Sequence, residues 1–185
     1  MILPSSYLPP VSYLRAMNRL QEVQIEVCEH YVKQTIRNRC WIASPNGPLS
    51  LTVPVEKIQK KAPMRDVRIS DHGNWRHQHW NALASSYGQS PFFEYYADDF
   101  APFYEKKWEF LVDYNEALLD VLCRNIDFSP RYSRTQAYQG TEDWNAMYGD
   151  VKPYYQQFAS RHGFLSDLSA VDLLFNMGPE SLLYL

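Results

Sequence analysis

The sequence predicts an α/β fold, in which helices pack on a mainly parallel sheet and a β-hairpin is inserted into the chain. Three observations support this prediction. A strand, a helix and a second strand follow one another at the N-terminus, two apolar strands then flank a turn-rich segment, and amphipathic helices dominate the later part of the chain. A three-layer α+β arrangement is the alternative.

The N-terminal segment is typical of a strand–helix–strand unit. Residues 1–4 form a short apolar run that ends in proline. Pro10 is suited to the first turn of a helix that continues to Leu20, because the missing N–H is not needed there. Apolar and polar residues then alternate over residues 23–28, which predicts a strand with one buried face. Such a unit is parallel and right-handed, and the plan is Rossmann-like.

A β-hairpin is predicted next, with strands over residues 36–42 and 49–55 and turn residues between them. The register that brings the apolar side chains together leaves Arg37 and Arg39 on the opposite face. It also places Asn38 on the apolar face, where its amide needs partners. A slip of one residue would reverse every side chain.

The remaining elements are assigned from periodicity and from breaks in it. In chain order they are a strand at 67–69, a helix at 74–87, a strand or an aromatic helical turn at 92–96, a long helix at 102–125 and a helix at 168–176. We predict a single domain over residues 1–185, with a core at 1–125 and a loop-rich region and C-terminal helix at 126–185. The connection at 127–152 is long enough to be functional or mobile.

Composition restricts the classes of partner. Hydrophobic residues make up 45% and charged residues 21% of the chain, as in globular proteins, and the net charge of -3 argues against nucleic acid as a partner. Three widely spaced cysteines and a start unlike a signal peptide predict a cytoplasmic protein. No stretch is long enough for membrane insertion, and no cofactor motif stands out. The oligomeric state is left open.

The best candidate for a binding site is the first strand of the hairpin. An arginine pair such as Arg37 and Arg39 is suited to a phosphate or a carboxylate. The alternative is an exposed strand face whose arginines pair with neighbouring acidic residues. Lys33 either contacts the same anion or is an ordinary surface residue. Asn38 either recognises a ligand through its amide or ties the hairpin to a neighbouring loop.

Three histidines, His72, His77 and His79, lie close together in the sequence. On a helix His77 and His79 would point about 200° apart, at ~100° per residue, so they could not share a metal. We therefore predict no metal site. His79 is a candidate general base, and the alternative is that it packs beside Trp75 or Trp80.

Aromatic residues are abundant, and some of them are candidates for the walls of a ligand pocket. These candidates are Tyr13, Trp75, Tyr87 and Phe92. Asn115 falls within the apolar stripe of the long helix, where an unpaired amide would cost about 1–3 kcal/mol. Its partners are therefore either backbone groups or a ligand.

Several motifs together resemble the WbqC-like family of bacterial proteins. They are YLPPVSY at 7–13, KQ at 33–34 followed by RNR at 37–39, LTVPV at 51–55, VRI at 67–69 ahead of Trp75, YGQSPFFEYY at 87–96, and Asn115. The resemblance covers roughly residues 1–125, and residues 168–176 are similar to the ending of a shorter branch of the family. Many relatives carry an aspartate pair ahead of the KQ segment, where this chain has Glu26, Glu29 and His30.

The resemblance implies a transferase linked to surface polysaccharide biosynthesis, whose donor is an amino-acyl or acyl group or a nucleotide sugar. In this hypothesis Lys33, Arg37 and Arg39 hold an anionic group and His79 is the base. The alternative is a non-catalytic module that assists an envelope or polysaccharide enzyme. Such a module would expose an apolar-aromatic patch and have no convergent polar pocket.

Overall fold

The computed structural model describes residues 1–20, 22–58 and 61–185. The strands are β1 (Ile2–Pro4), β2 (Val23–Glu26), β3 (Arg39–Ser44), β4 (Gly47–Thr52) and β5 (Tyr132–Arg134). The α-helices are α1 (Val11–Arg19), α2 (Trp75–Tyr87), α3 (Phe93–Glu105), α4 (Leu111–Asn125), α5 (Trp144–Tyr148), α6 (Ala159–His162) and α7 (Ala170–Met177). Two 3-10 helices span Met64–Asp66 and Gly178–Tyr184.

The predicted parallel sheet is confirmed, with the strand order β1-β2-β5. Leu3 lies opposite Ile25, and Ile25 lies opposite Arg134 on its other side. The strand β5 falls inside the segment 127–152, for which only loop structure was expected. It is short and mostly exposed, so its sequence carries no alternation of apolar and polar residues.

The inserted hairpin is also confirmed, and its register is the predicted one, since Cys40 pairs with Leu51 and Ile42 with Leu49. However, Arg37 does not belong to the strand, which corrects the expectation that both arginines share a strand face. The N–H groups of Asn38 and Arg39 both donate to the carbonyl oxygen of Thr35. The chain before β3 therefore forms a turn, and only Arg39 is in the strand.

The helix predicted at 74–87 is confirmed as α2. In contrast, the single long helix predicted at 102–125 is wrong, because α3 ends at Glu105 and α4 begins at Leu111. The backbone between them is extended and pairs with residues 67–69: the N–H of Ile69 donates to the carbonyl of Glu109. At 92–96 the helical alternative is the correct one, since α3 begins at Phe93.

One large hydrophobic core joins the sheet to α1, α4 and α7. Helix α7 is almost entirely buried, so it forms the centre of the C-terminal half. Among the described residues, none of the helices combines the length and the apolar character that crossing a bilayer requires.

Asp172 of α7 fastens the C-terminal segment to the rest of the molecule. Its fully buried carboxylate accepts hydrogen bonds from the hydroxyls of Tyr87 and Tyr154, both at 2.7 Å, and from Nε2 of Gln156 at 2.9 Å. Tyr87 also accepts the N–H of Ala43 at 3.1 Å. The network therefore links α7, α2 and β3. Burial raises the pKa of Asp172, although its three donors act in the opposite direction.

Candidate functional site

A cavity of about 200 Å³ lies between β3, α5 and the start of α7. Its polar and aromatic lining residues are Arg39, Trp41, Trp144, Asn145, Asp167 and Ser169. Backbone hydrogen bonds hold the three walls together: the N–H of Ser169 donates to the carbonyl of Trp41 at 2.8 Å, and that of Val11 donates to Leu168 at 3.1 Å. Distant segments of the sequence therefore meet in one concave site.

Arg39 is the cationic residue of this cavity. It is the first residue of β3 and lies opposite Thr52, whose hydroxyl accepts a hydrogen bond from Nε of Arg39 at 2.8 Å. Within residues 1–20, 22–58 and 61–185, none of the carboxylates lies within 4.0 Å of the guanidinium. Among the described residues, its charge therefore has no ion-pair partner, and Arg39 lines the hollow.

Arg37 has a different environment, although it is only two residues away. Its Nε and terminal nitrogen donate to the two oxygens of Glu29 at 2.7 and 2.6 Å. Both side chains are mostly buried, with 12% and 9% of their surfaces exposed. This bidentate pair neutralises Arg37 and fixes the turn before β3 to the chain after β2.

Asp167 supplies the negative charge of the cavity. Its two oxygens accept hydrogen bonds from the N–H and the hydroxyl of Ser12, each at 2.8 Å. Asp167 thereby caps α1, because the residue before that helix, Pro10, offers no side-chain acceptor. Trp144 donates its indole N–H to the Ser12 hydroxyl at 3.1 Å, which orients the ring along the cavity wall. Burial raises the pKa of Asp167, and the bonds from Ser12 oppose this shift.

Ser169 contributes a hydroxyl in the position that precedes α7. The residue is only 2% exposed, and its Oγ has no hydrogen-bond partner among the described residues. Such a group costs about 1–3 kcal/mol when it is buried and left unpaired. The Ser169 hydroxyl can therefore form a hydrogen bond with a ligand in the cavity.

A wider hollow of about 440 Å³ lies at residues 56–58 and 61–68. Its Arg68 pairs with Glu109 at 2.6 Å, and both side chains are more than half exposed. Exposed pairs of this kind contribute little and are screened by salt. The cavity at Arg39 is more enclosed, so we regard it as the better candidate.

Comparison with known proteins identifies the family of this chain. The model of the WbqC-like protein family matches residues 5–148. This chain belongs to the WbqC-like protein family. The chain is also 31% identical over 140 residues to "Uncharacterized protein Rv1507c" of Mycobacterium tuberculosis (strain ATCC 25618 / H37Rv). The aligned region is 75% of this chain and 60% of that relative, so the chain spans about 60% of its length. None of the solved structures matches the chain significantly.

The residues that line the cavity of this WbqC-like chain lie partly inside and partly outside the range that the family model matches. Arg39, Trp41 and Trp144 lie within the matched residues, whereas Asp167 and Ser169 lie beyond them. The cavity is therefore built jointly by the family region and by the C-terminal segment that follows it.

The other polar residues predicted for the hairpin site do not line this cavity. Asn38 is buried, where its Oδ1 accepts the N–H of Gln34 at 3.0 Å and its Nδ2 donates to the carbonyl of Val53 at 2.9 Å. Of the two alternatives for Asn38, these contacts match the one in which its amide ties the hairpin to a neighbouring turn. Lys33 is exposed on that turn.

His79 lies in the interior, in a cluster of aromatic rings. Its Nδ1 is 2.9 Å from the hydroxyl of Tyr7, and its ring meets that of Trp75 edge to face at 5.1 Å. Burial lowers the pKa of His79 to about 4, although the Thr52 carbonyl acts in the opposite direction. The imidazole is therefore neutral at pH 7. A role as a general base stays a prediction, and this burial does not support it.

Two further candidates, Tyr13 and Tyr87, are fully buried and have partners within the protein. The hydroxyl of Tyr13 donates to the carbonyl of Pro4 at 2.9 Å, and that of Tyr87 belongs to the Asp172 network. Both rings therefore have structural roles in the described residues, and neither lines the Arg39 cavity.

Phe92 and Asn115 also lie away from the Arg39 cavity. The ring of Phe92 packs so closely on Gly178 that a Cβ there would lie 2.5 Å from it. Nδ2 of Asn115 donates to the Ser5 hydroxyl at 3.0 Å and to the Arg37 carbonyl at 2.8 Å. The structure thus brings Arg39 alone of the predicted residues to the cavity.

The residues predicted from the sequence do not include Trp41, Trp144, Asp167 or Ser169 of the cavity. One signal was present for Ser169: the pattern Ser-x-x-Asp before an apolar run is typical of a helix start. It identifies the position of the residue in the helix but not the cavity that the residue faces. For Asp167 the sequence carries no comparable signal, because its partner Ser12 lies at the other end of the chain.

Proposed function

We propose that this chain binds the anionic group of a small ligand in the cavity at Arg39, and that it does so as a transferase whose donor is an activated acyl group or sugar. The observation that carries the proposal is Arg39, which lines the cavity and whose guanidinium forms no ion pair with a carboxylate among the described residues. Arginine forms directed, charge-assisted hydrogen bonds with phosphate and carboxylate groups.

A second cation supports an anionic ligand. Arg15 of α1 is buried behind Asp167, where it donates to the backbone carbonyls of Tyr148 and Asp150. Burial raises the pKa of Asp167, and the charge of Arg15 partly opposes this rise. The surroundings of the cavity therefore hold two guanidinium groups and one carboxylate, which favours a ligand that brings negative charge.

The volume of the cavity limits which part of a donor it holds. Ligand pockets usually enclose about 300–1,000 Å³. A cavity of about 200 Å³ admits a phosphate or carboxylate group with a few further atoms, but not a whole nucleotide sugar. The rest of such a donor would extend past Trp41, which is 48% exposed and offers its ring as a surface for stacking.

The transferase part of the proposal is supported by the family. The motifs that resemble WbqC-like proteins imply a transferase linked to surface polysaccharide biosynthesis, and the family match includes Arg39 and both tryptophans. The proposal assigns binding residues and does not require His79 as the base. The reaction that the protein catalyses would follow from the identity of the ligand that it binds.

We expect Arg39→Gln to weaken anion binding at least tenfold, because a hydrogen bond to a charged group contributes about 1.5–3 kcal/mol. The measurement is a thermal-shift titration with inorganic phosphate, nucleotide sugars and acyl-CoA donors, since a bound ligand must raise the melting temperature. An unchanged shift in the variant would contradict the proposal. If none of the ligands shifts the wild-type protein and a partner protein co-purifies with it, the non-catalytic module is the better hypothesis.

The matched control is Arg37→Lys, which alters the neighbouring arginine. Lysine cannot reproduce the two parallel hydrogen bonds to Glu29, so we expect the free energy of unfolding to fall by about 1–2 kcal/mol. The ligand-induced thermal shift should persist in this variant. Urea denaturation measures the first effect, and a loss of ligand response together with unchanged stability would show that the roles of the two arginines are reversed.

A further inference from the structure

The C-terminal segment adds a carboxylate to the Arg39 cavity, and a purely anionic ligand would have no favourable contact with it. Asp167 places a carboxylate in the same small space as the guanidinium of Arg39. The two groups form no ion pair with one another, although both line the cavity. A ligand between them therefore meets opposite charges on different walls.

Asp167 retains capacity to bind a ligand. Each of its oxygens accepts one hydrogen bond from Ser12, and a carboxylate offers about four acceptor positions in all. Arg15 does not occupy the remaining positions, because it donates to the carbonyls of Tyr148 and Asp150 instead. The carboxylate can therefore accept further hydrogen bonds from the cavity side.

The backbone at Asp167 supports a functional role. Its φ of +54° lies in the left-handed region, which costs energy for a residue other than glycine. Aspartate and asparagine tolerate this region better than other side chains do, because their short polar groups form local hydrogen bonds. The chain holds the carboxylate at the cavity wall in spite of this cost.

Ser169 provides the second, independent observation. Ser169 is 2% exposed and lines the same cavity, and its hydroxyl lacks a partner among the described residues. It also makes no capping bond to α7. A hydroxyl in this state can donate to an anion that Arg39 holds, which would satisfy the hydrogen bond that the protein leaves open.

We infer that the ligand of this cavity carries a hydrogen-bond donor, an ammonium or a hydroxyl group, within a few atoms of its anionic group. In this arrangement Arg39 and Ser169 bind the anionic group, and Asp167 accepts from the donor group and excludes ligands that lack it. The inference rests on the proposed function, since it assumes that Arg39 binds an anion. It adds that the segment beyond the family match determines specificity.

Three ligands of nearly equal size test the inference: ethyl phosphate, 2-hydroxyethyl phosphate and phosphoethanolamine. They share an ethyl phosphate group and differ only in the substituent on its second carbon, which is hydrogen, a hydroxyl or an ammonium group. We expect the wild-type protein to bind at least one of the latter two roughly tenfold more tightly than ethyl phosphate, as measured by NMR titration. The tighter of the two identifies the donor group.

Two variants assign the effect to residues. Asp167→Asn is nearly isosteric and suits the left-handed backbone, so we expect it to fold and to lose most of the preference for phosphoethanolamine. Ser169→Ala should weaken all three ligands by a similar factor. Glu180→Gln removes an exposed carboxylate outside the cavity and should leave all three affinities unchanged.

The outcomes separate this inference from the proposed function. Equal binding of the three ligands, lost in Arg39→Gln, would overturn the inference and leave the proposed function intact. A preference for phosphoethanolamine that survives in Asp167→Asn would also overturn it, because a neutral amide does not attract the ammonium group as a carboxylate does. If none of the three binds while a larger donor does, the cavity does not take these groups and the inference fails. If nothing in either panel binds, the proposed function fails and the inference falls with it.

Discussion

Asp172→Ala is expected to lower the free energy of unfolding by about 3–5 kcal/mol, because it removes the common acceptor of a buried network. Tyr87, Tyr154 and Gln156 all donate to this carboxylate, and the variant would leave these donors buried without an acceptor. The alanine also creates a void in a helix that is almost fully buried. The loss is a large fraction of the roughly 5–15 kcal/mol by which folded domains are usually stable.

Urea denaturation followed by circular dichroism measures this effect, and a two-state fit gives the free energy of unfolding. Asp98→Ala is the matched control, because Asp98 is exposed on α3, and its replacement should change stability by no more than about 0.5 kcal/mol. Tyr154→Phe should cost about 1 kcal/mol, since it removes one donor only. A loss below 1 kcal/mol for Asp172→Ala would show that the network does not hold the C-terminal segment.

Acidification from pH 6.5 to pH 4 is expected to cost about 3 kcal/mol of stability through His79 alone. Burial lowers the pKa of His79 to about 4 in the folded protein, against an ordinary value of 6.5. The unfolded chain therefore binds a proton in this range that the folded protein does not, and stability falls as the pH falls. Each unit of difference is worth about 1.4 kcal/mol, so the contribution is fully present above pH 6.5 and lost by about pH 4.

The comparison that isolates this effect is the wild-type protein against His79→Gln at several pH values. Glutamine keeps a polar group near Tyr7 but does not titrate, so the difference in unfolding free energy should shrink or reverse as the pH falls. Other groups, including Asp172, titrate in both proteins and cancel in the difference. His72→Gln, at an exposed position, is the control. A difference that stays constant from pH 7 to pH 4 would place His79 in contact with water.

Local patterns in the sequence were sufficient for the first part of the fold. The run that ends at Pro4, the proline at the start of α1 and the alternation in β2 lie within 28 residues and define the parallel unit. The register of the hairpin followed from pairing its apolar residues, because a slip would have exposed them. In both cases the paired strands are close in sequence, so the local periodicity is enough to predict how they pair.

Elements that depend on distant partners could not be predicted in this way. The strand β5 is defined by its hydrogen bonds to β2, and the break between α3 and α4 by the pairing of residues 67–69 with the extended segment. Helical periodicity continues across that break, since Trp108 and Leu111 keep the spacing of an apolar stripe. Tertiary pairing overrides the local preference there.

The candidate site was recovered only in part, for the same reason. Arg39 was identified from its residue type and its place in the hairpin, and the structure places it at a cavity. Nothing in the sequence distinguishes it from Arg37, because the difference lies in Glu29, which folds back onto Arg37 alone. The residues that complete the cavity come from beyond position 140 and meet Arg39 only in the folded chain.

The pairing of β2 with β5 has a consequence for synthesis on the ribosome. Val23 leaves the exit tunnel long before Tyr132, its partner more than a hundred residues later, has been translated. During that interval one edge of β2 has no neighbouring strand, and unpaired edges promote association between chains. We therefore expect nascent or truncated chains that stop before β5 to depend on chaperones, and a slow folding step to follow the emergence of β5 from the tunnel.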